Sequence, residues 1–259
     1  MSYPLYQVDA FTSEHFQGNP AAVCLLDQWL PDETLQTIAA ENNLAETAFT
    51  VLSEASLRLR WFTPAVEVDL CGHATLATAW VFFERLAFSK PSIAFNTRSG
   101  PVSVSRDGDR LFLDFPSRPP VACEVESGLI AGLNVEPQAV LAARDYFCVF
   151  NSAEEIRALE PDFAALAKLN RFAVIATAPG EDCDYVSRFF APAQGIDEDP
   201  ATGSAQCTLI PYWAQRLKKT TLAARQLSAR GATFTGVDRG DRVSIGGQCR
   251  LYLEGKIWI

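Results

Sequence analysis

Apolar and polar positions alternate through much of the chain. At residues 57–61, Leu57, Leu59 and Trp61 interleave with Arg58 and Arg60, the two-residue period of a half-buried strand. Val102–Ser105 and Leu111–Phe115 flank Asp107-Gly108, a pair that predicts a hairpin turn. Residues 172–177, 185–190, 242–245 and 250–259 read as further strands, with Gly246-Gly247 and Glu254-Gly255 expected as turns. Two stretches depart from this period. Residues 74–86 are apolar on almost every side, and 203–217 repeat the pattern through Cys207, Leu209, Ile210 and Trp213. Each predicts a helix buried nearly all round. Pro211 is expected to kink the second helix or confine its first turns. Two outer helices complete the pattern. One opens at Pro31-Asp32-Glu33 and buries Leu35, Ile38 and Ala39; the other opens at the capping box Ser152/Glu155 and is broken by Pro161. A mostly β structure wrapping one buried helix per half is the natural assembly.

The halves share more than their element order. Arg60-Trp61-Phe62-Thr63-Pro64 matches Arg188-Phe189-Phe190-Ala191-Pro192, 128 residues on. Cys71-Gly72-His73-Ala74 matches Thr202-Gly203-Ser204-Ala205, 131 residues on, which places a three-residue insertion in the second copy near Glu198-Asp199-Pro200. The expected division is residues 1–117 and 118–259, at the Pro-rich stretch 115–120, with terminal strands free to cross between lobes.

The 259 residues carry a net charge of −9, so the basic footprint of a nucleic-acid binder is missing. No apolar run reaches membrane-spanning length, and Met1-Ser2-Tyr3-Pro4 has no signal-peptide character. Seven cysteines, none in a Cys-x-x-Cys pair, fit reduced thiols and a cytoplasmic location. An anionic ligand would need local positive potential against the negative net charge. The helix starts at Gly72 and Gly203 supply free N–H groups for that purpose.

Four segments carry candidate chemistry: Gly18-Asn19-Pro20-Ala21-Ala22-Val23, Asn43-Leu44-Ala45-Glu46-Thr47, Leu70-Cys71-Gly72-His73-Ala74-Thr75 and Glu198-Asp199-Pro200-Ala201-Thr202-Gly203-Ser204-Ala205. Glu46 lies in an apolar stretch, an environment that suits a carboxyl to proton transfer near neutral pH. His73 is one of two histidines, the other being His15. Each candidate also has an ordinary structural role: a solvent-facing Glu on a strand edge, a His at a helix start, Asp199 and Ser204 as helix caps.

Together these segments resemble the PhzF-like family of phenazine biosynthesis, and the likeness runs across the chain. The resemblance implies an α+β, diaminopimelate-epimerase-like fold: two pseudo-symmetric lobes, each a mixed β-barrel-like sheet around a central helix, with the active site between them. It implies a cofactor-independent isomerase, usually a homodimer, acting on a small-molecule carboxylate. It makes Glu46 the proton shuttle, with His73 and Asp199 beside it and Gly72, His73, Gly203 and Ser204 binding substrate. Where the family often has Ser, this chain has Ala45, so no hydroxyl contact comes from that position. No cofactor, metal, nucleic acid or membrane is expected. A two-thiol racemase of the same fold needs a Cys before each Gly; Cys71 fills the first place and Thr202 the second. A non-catalytic binding protein would have no need of Glu46, His73 and Asp199 together. Phosphate-cradling Gly-rich loops and a Gly-x-Ser-x-Gly elbow are absent from the sequence.

Overall fold

The computed structural model describes residues 1–53 and 56–259. The chain divides into two compact units, Met1–Phe115 with Gly246–Ile259, and Pro116–Ile245. The break thus lies at Phe115–Pro116, and the terminal segment 246–259 belongs to the first unit.

In the first unit the order is β1 (Ser2–Ala10), β2 (Asn19–Leu26), α1 (Asp32–Asn42), β3 (Glu46–Val51), β4 (Leu59–Phe62), β5 (Glu67–Val68), α2 (Gly72–Glu84), β6 (Ser92–Thr97), β7 (Gly100–Asp107) and β8 (Arg110–Pro116). In the second it is β9 (Val121–Ala122), α3 (Ser127–Leu133), β10 (Ala139–Ala142), β11 (Tyr146–Val149), α4 (Ala153–Arg157), α5 (Phe163–Leu166), β12 (Val174–Pro179), β13 (Tyr185–Ala191), β14 (Ile196–Glu198), α6 (Gly203–Leu217), β15 (Thr221–Gln226) and β16 (Ala232–Asp238). β17 (Arg242–Gly247) leads back to the first unit, which β18 (Cys249–Trp258) completes.

A six-stranded sheet in the order β18-β1-β2-β3-β4-β5 builds most of the first unit. Its β2 and β3 run parallel, joined by α1 as crossover; the other pairs are antiparallel. One face carries Tyr3, Cys24, Leu26, Phe49 and Phe62 against Leu35, Ile38 and Ala39 of α1. The alternate residues Val23, Leu25, Ala48 and Trp61 are equally buried, and α2 packs against β1, β2 and β3. Both faces are therefore covered. Ten residues of α2, from His73 to Phe83, are buried, which is the all-round burial its sequence predicts. In the second unit β11 and β12 pair in parallel, as do β13 and β15, with α6 as the crossover of the latter pair.

The internal repeat has a structural signature in each unit. Arg60 grips Glu67 through Nε and Nη2, both at 2.7 Å, across the β4–β5 turn. Arg188 grips Glu198 the same way, at 2.7 and 2.9 Å, across β13–β14. Five residues separate Glu67 from Gly72 and Glu198 from Gly203, so the spacing after each Glu is equal. The three extra residues therefore lie before Glu198, not at Glu198-Asp199-Pro200 as expected. They lie between Pro192 and Glu198, where the chain makes the 3-10 turn Pro192–Gln194, closed by Gly195 at φ 81°.

A further expectation is corrected. Gly246-Gly247 and Glu254-Gly255 are strand residues of β17 and β18, not turns. A Cβ on Gly246 would lie 2.3 Å from the Phe112 ring, and one on Gly247 would lie 2.4 Å from Phe11. These glycines make room for packed aromatic rings. Pro211, expected to kink α6 or confine its first turns, does not confine them: α6 spans Gly203–Leu217 with the proline inside it. The proline leaves the carbonyl of Cys207, four residues back, without its helical donor. The backbone N–H of Arg118 donates to that oxygen at 2.8 Å instead.

Candidate active site

The first candidate cluster is assembled from a strand start and a helix start in the first unit. Glu46 opens β3, opposite Ala21 of β2 in the parallel register. This places the Gly18-Asn19-Pro20-Ala21 segment beside it. Gly18, at φ 69°, brings its Cα so close to the Ala10 carbonyl that a Cβ would sit 2.2 Å from the oxygen. Only glycine closes this connection between β1 and β2. His73 is the second residue of α2 and Cys71 its N-cap. The Cys71 side chain makes no capping hydrogen bond to the helix, so the first-turn N–H groups are not consumed by it.

Glu46 Oε2 lies 3.1 Å from His73 Nε2, with side-chain exposures of 13% and 7%. The approach has ion-pair distance without hydrogen-bond direction, and both atoms are buried without a hydrogen-bond partner. On the opposite side of the imidazole, Nδ1 faces Cys71 Sγ at 3.5 Å. Burial opposes charging His73, but the acidic groups beside it, Cys71 and Glu46, outweigh it and hold the pKa well above the ordinary histidine value. Burial also pushes the Cys71 thiol up, the Glu46 carboxylate adds to this, and His73 pulls the other way. Cys71 and Glu46 thus flank the two nitrogens of one buried imidazole. Glu46, Cys71 and His73 place one ligand atom each within 4.8 Å of one another. His73 turns a different nitrogen to each neighbour, so an ion shared by all three would break one of these contacts.

The second cluster surrounds the start of α6. Thr202, its N-cap, donates through Oγ1 to Asp199 Oδ2 at 2.5 Å, and its N–H donates to Gln226 Oε1 at 2.9 Å. Gln226 Nε2 donates in turn to the Asp199 carbonyl. Asp199 is thus fixed by a side-chain and a backbone tether. Ser204 Oγ accepts from Arg144 Nη2 at 3.2 Å, and its carbonyl accepts from Arg118 Nη2 at 3.0 Å. Arg144 is itself held by both carboxylate oxygens of buried Asp145, at 2.9 and 3.1 Å. Gly203 is the first helical residue, as Gly72 is in α2.

The structure brings Glu46, Gly72 and His73 together in the first unit, and Asp199, Gly203 and Ser204 together in the second. Sequence reasoning weighed Cys71 only as a racemase thiol and did not place it against His73. It also missed Arg118 and Arg144. Cys71 was within reach, since its neighbour Gly72 was already singled out; the two arginines lie far from α6 in sequence and carry no local signal.

Comparison with known proteins places the chain in a family. Residues 8–255 match the family described as phenazine biosynthesis-like protein. The chain is 52% identical over 257 residues to a Pseudomonas aeruginosa protein named an uncharacterized isomerase, covering 99% of both. It is 36% identical over 286 residues to the human phenazine biosynthesis-like domain-containing protein, again covering 99% of both. The crystal structure of a PhzF-family phenazine biosynthesis protein from Enterococcus faecalis superposes with a TM-score of 0.97 at 46% identity, covering 100% of both chains. A hydroxyproline epimerase from Agrobacterium vitis shares the fold alone, at a TM-score of 0.57 and 12% identity, over 99% of this chain and 92% of that one. The chain belongs to the phenazine biosynthesis-like family and is an isomerase of the α+β, epimerase-like fold. Among the described residues, no helix is long and apolar enough to cross a membrane.

Proposed function

We propose that this member of the phenazine biosynthesis-like family moves a proton between two carbons of a small unsaturated carboxylate, with Glu46 as the shuttle. The observation that carries the reading is the buried contact of Glu46 Oε2 and His73 Nε2 at 3.1 Å, at the first turn of a buried helix, with neither atom hydrogen-bonded. A buried carboxyl beside an imidazole whose protonated form is favoured can take a proton from a ligand and return it. The substrate carbon is one made acidic by conjugation to a carboxylate, alkene or imine. Glu46 removes its proton and the electron pair shifts along the conjugated system. Glu46 then returns the same proton to another carbon on the same face, so the product is an isomer and no other reactant is consumed.

His73, whose protonated form is favoured, is suited to stabilise the negative charge that develops as the proton leaves. The same reading gives the backbone N–H groups at Gly72–His73 and Gly203–Ser204 the substrate's anionic oxygens. It gives Asp199 the orientation of a polar substrate group. An isomerisation through paired thiols is disfavoured by the helix caps. Burial pushes the Cys71 thiol up, and the second helix has Thr202 at its cap in place of a cysteine, its hydroxyl committed to Asp199.

The test is a panel of small unsaturated carboxylates and amino acids, first ranked by the rise in melting temperature each causes. The best binders are then incubated with the protein in deuterated water and followed by NMR. Movement of a double bond, with protium retained or deuterium gained at the new carbon, supports the reading. Stereochemical inversion at one carbon without bond migration would replace it by epimerisation.

A further inference from the structure

The residue that caps a helix ordinarily spends its side chain on the free N–H groups of the first turn. Cys71 caps α2 and makes no such side-chain bond. Its sulfur is turned instead to the imidazole two residues on, with Sγ 3.5 Å from His73 Nδ1. The backbone that carries the sulfur is itself anchored. The Cys71 carbonyl accepts from the Thr75 N–H at 3.2 Å and from Thr75 Oγ1 at 2.5 Å. Cys71, His73 and Thr75 are all buried. In the second unit the matching cap, Thr202, also makes no side-chain bond to its helix and gives its hydroxyl to Asp199 Oδ2. In each repeat, then, the cap position holds another side chain of its own cluster rather than its helix.

The far nitrogen of the His73 ring is the one that meets Glu46. Nε2 lies 3.1 Å from Glu46 Oε2, and both atoms are buried without a hydrogen-bond partner. Half a turn about the Cβ–Cγ bond would put carbon where each ring nitrogen now stands. What the near nitrogen touches decides between these orientations and sets which nitrogen carries the hydrogen. That contact is the Cys71 sulfur. An ionised carboxylate only accepts hydrogen bonds. A hydrogen between Glu46 and His73 is therefore supplied by Nε2, which leaves Nδ1 to the thiol, a group able to donate.

We infer that Cys71 is a positioning residue, whose sulfur holds His73 Nδ1 so that Nε2, carrying a hydrogen, stays turned toward Glu46. Its effect on turnover rests on the reading of Glu46 as the proton shuttle. While Glu46 takes up a proton and returns it, the fixed ring keeps the same hydrogen-bearing nitrogen beside the carboxyl. Without the sulfur, the flipped ring sets carbon there instead.

The full chain tests this without a ligand. It has two histidines, buried His73 and exposed His15, so a His15→Gln background leaves one imidazole to observe. Nitrogen-15 NMR of histidine-labelled protein shows which ring nitrogen carries hydrogen, from acid pH to well past the ordinary histidine value. In the wild-type site Nε2 should keep its hydrogen throughout. In Cys71→Ala part of the neutral ring should carry it on Nδ1. Cys71→Ser keeps a donor and should lie nearer the wild-type pattern than Cys71→Ala; a sulfur that merely filled space would make Ala the milder change. With the best substrate from the carboxylate panel, Cys71→Ala should lower kcat by roughly 10–100-fold and leave KM little changed, while circular dichroism shows an unchanged fold. A wild-type ring with its hydrogen on Nδ1, a Cys71→Ala protein with the wild-type nitrogen pattern or undiminished kcat, or a Ser variant further from wild type than Ala each overturns the inference. A nitrogen pattern that shifts as stated in a protein that isomerises no member of the panel upholds the positioning and counts against the shuttle reading alone.

Discussion

Replacing Arg60 by Met tests whether the ion pair that marks each repeat supports the fold around the helix start. Arg60 is 6% exposed and Glu67 11% exposed, so the pair lies in a desolvated environment. Removing one partner of such a pair leaves an uncompensated charge and costs about 3–5 kcal/mol. One feature moves this site to the lower end. Arg98 also reaches Glu67 at 2.7 Å and would remain, although it is 47% exposed. The contact to Asp32 involves a carboxylate that is 70% exposed, so solvent screens it and it does not alter this expectation. Met keeps most of the aliphatic stem but loses the guanidinium contacts over the Trp29 and Phe62 rings, at 5.5 and 5.0 Å from their centroids. The expected loss is about 3 kcal/mol for Arg60→Met. Arg60→Lys keeps the charge and loses the two-pronged geometry, and should cost about 1–2 kcal/mol. The double variant Arg60→Met, Glu67→Met removes both charges and should be more stable than Arg60→Met alone. Urea unfolding followed by circular dichroism measures all three at constant slope. An Arg60→Met protein within about 1 kcal/mol of wild type, or a double variant no better than the single, would refute the reasoning.

Gly246→Ala drives a methyl group into the Phe112 ring and should destabilise by about 1–3 kcal/mol in the same assay, where a true turn glycine with negative φ would tolerate it. Pro211→Ala should fail to deliver the roughly 3 kcal/mol that removing a mid-helix proline ordinarily gains, because the Arg118 N–H already satisfies the Cys207 carbonyl; a gain of that size would show the substitute bond to be unimportant. His73 has a folded-state pKa raised above its unfolded value of 6.5. The stability it contributes is therefore fully present below pH 6.5 and lost as pH rises through the raised value. Melting curves of wild type and His73→Gln should converge toward high pH, and a parallel offset at all pH values would contradict the assignment.

Much of this was legible in the sequence because it is local. The largely apolar runs at 74–86 and 203–217 read as buried helices, and the Arg60 and Arg188 blocks exposed the repeat. The capping box at Ser152 holds, with Glu155 N–H donating to Ser152 Oγ at 3.2 Å. What stayed hidden was non-local. Nothing in the spacing of Glu46 and His73 says that they meet; the parallel β2–β3 register and the helix start at Gly72 bring them together. Glycine is ambiguous between a turn and a close approach, and only the rings of Phe11 and Phe112 decide it for Gly246-Gly247. Pro211 reads from the sequence as a kink or a limit on the first turns, and only the structure shows the Arg118 N–H supplying the missing donor to the Cys207 carbonyl.

The central claim is that the Glu46 carboxyl carries the proton, and Glu46→Gln tests it most directly. The two side chains have nearly the same shape, so the fold should stand. The proposed anchors at Gly72–His73 and Gly203–Ser204 are backbone groups that the substitution leaves in place, so ligand-induced thermal stabilisation should persist. Turnover of the best substrate from the carboxylate panel, followed by NMR in deuterated water, should fall by roughly 10²–10⁴-fold or more. An Glu46→Gln protein that binds and turns over that substrate at near the wild-type rate would contradict the account and pass the shuttle's role to His73 or Asp199.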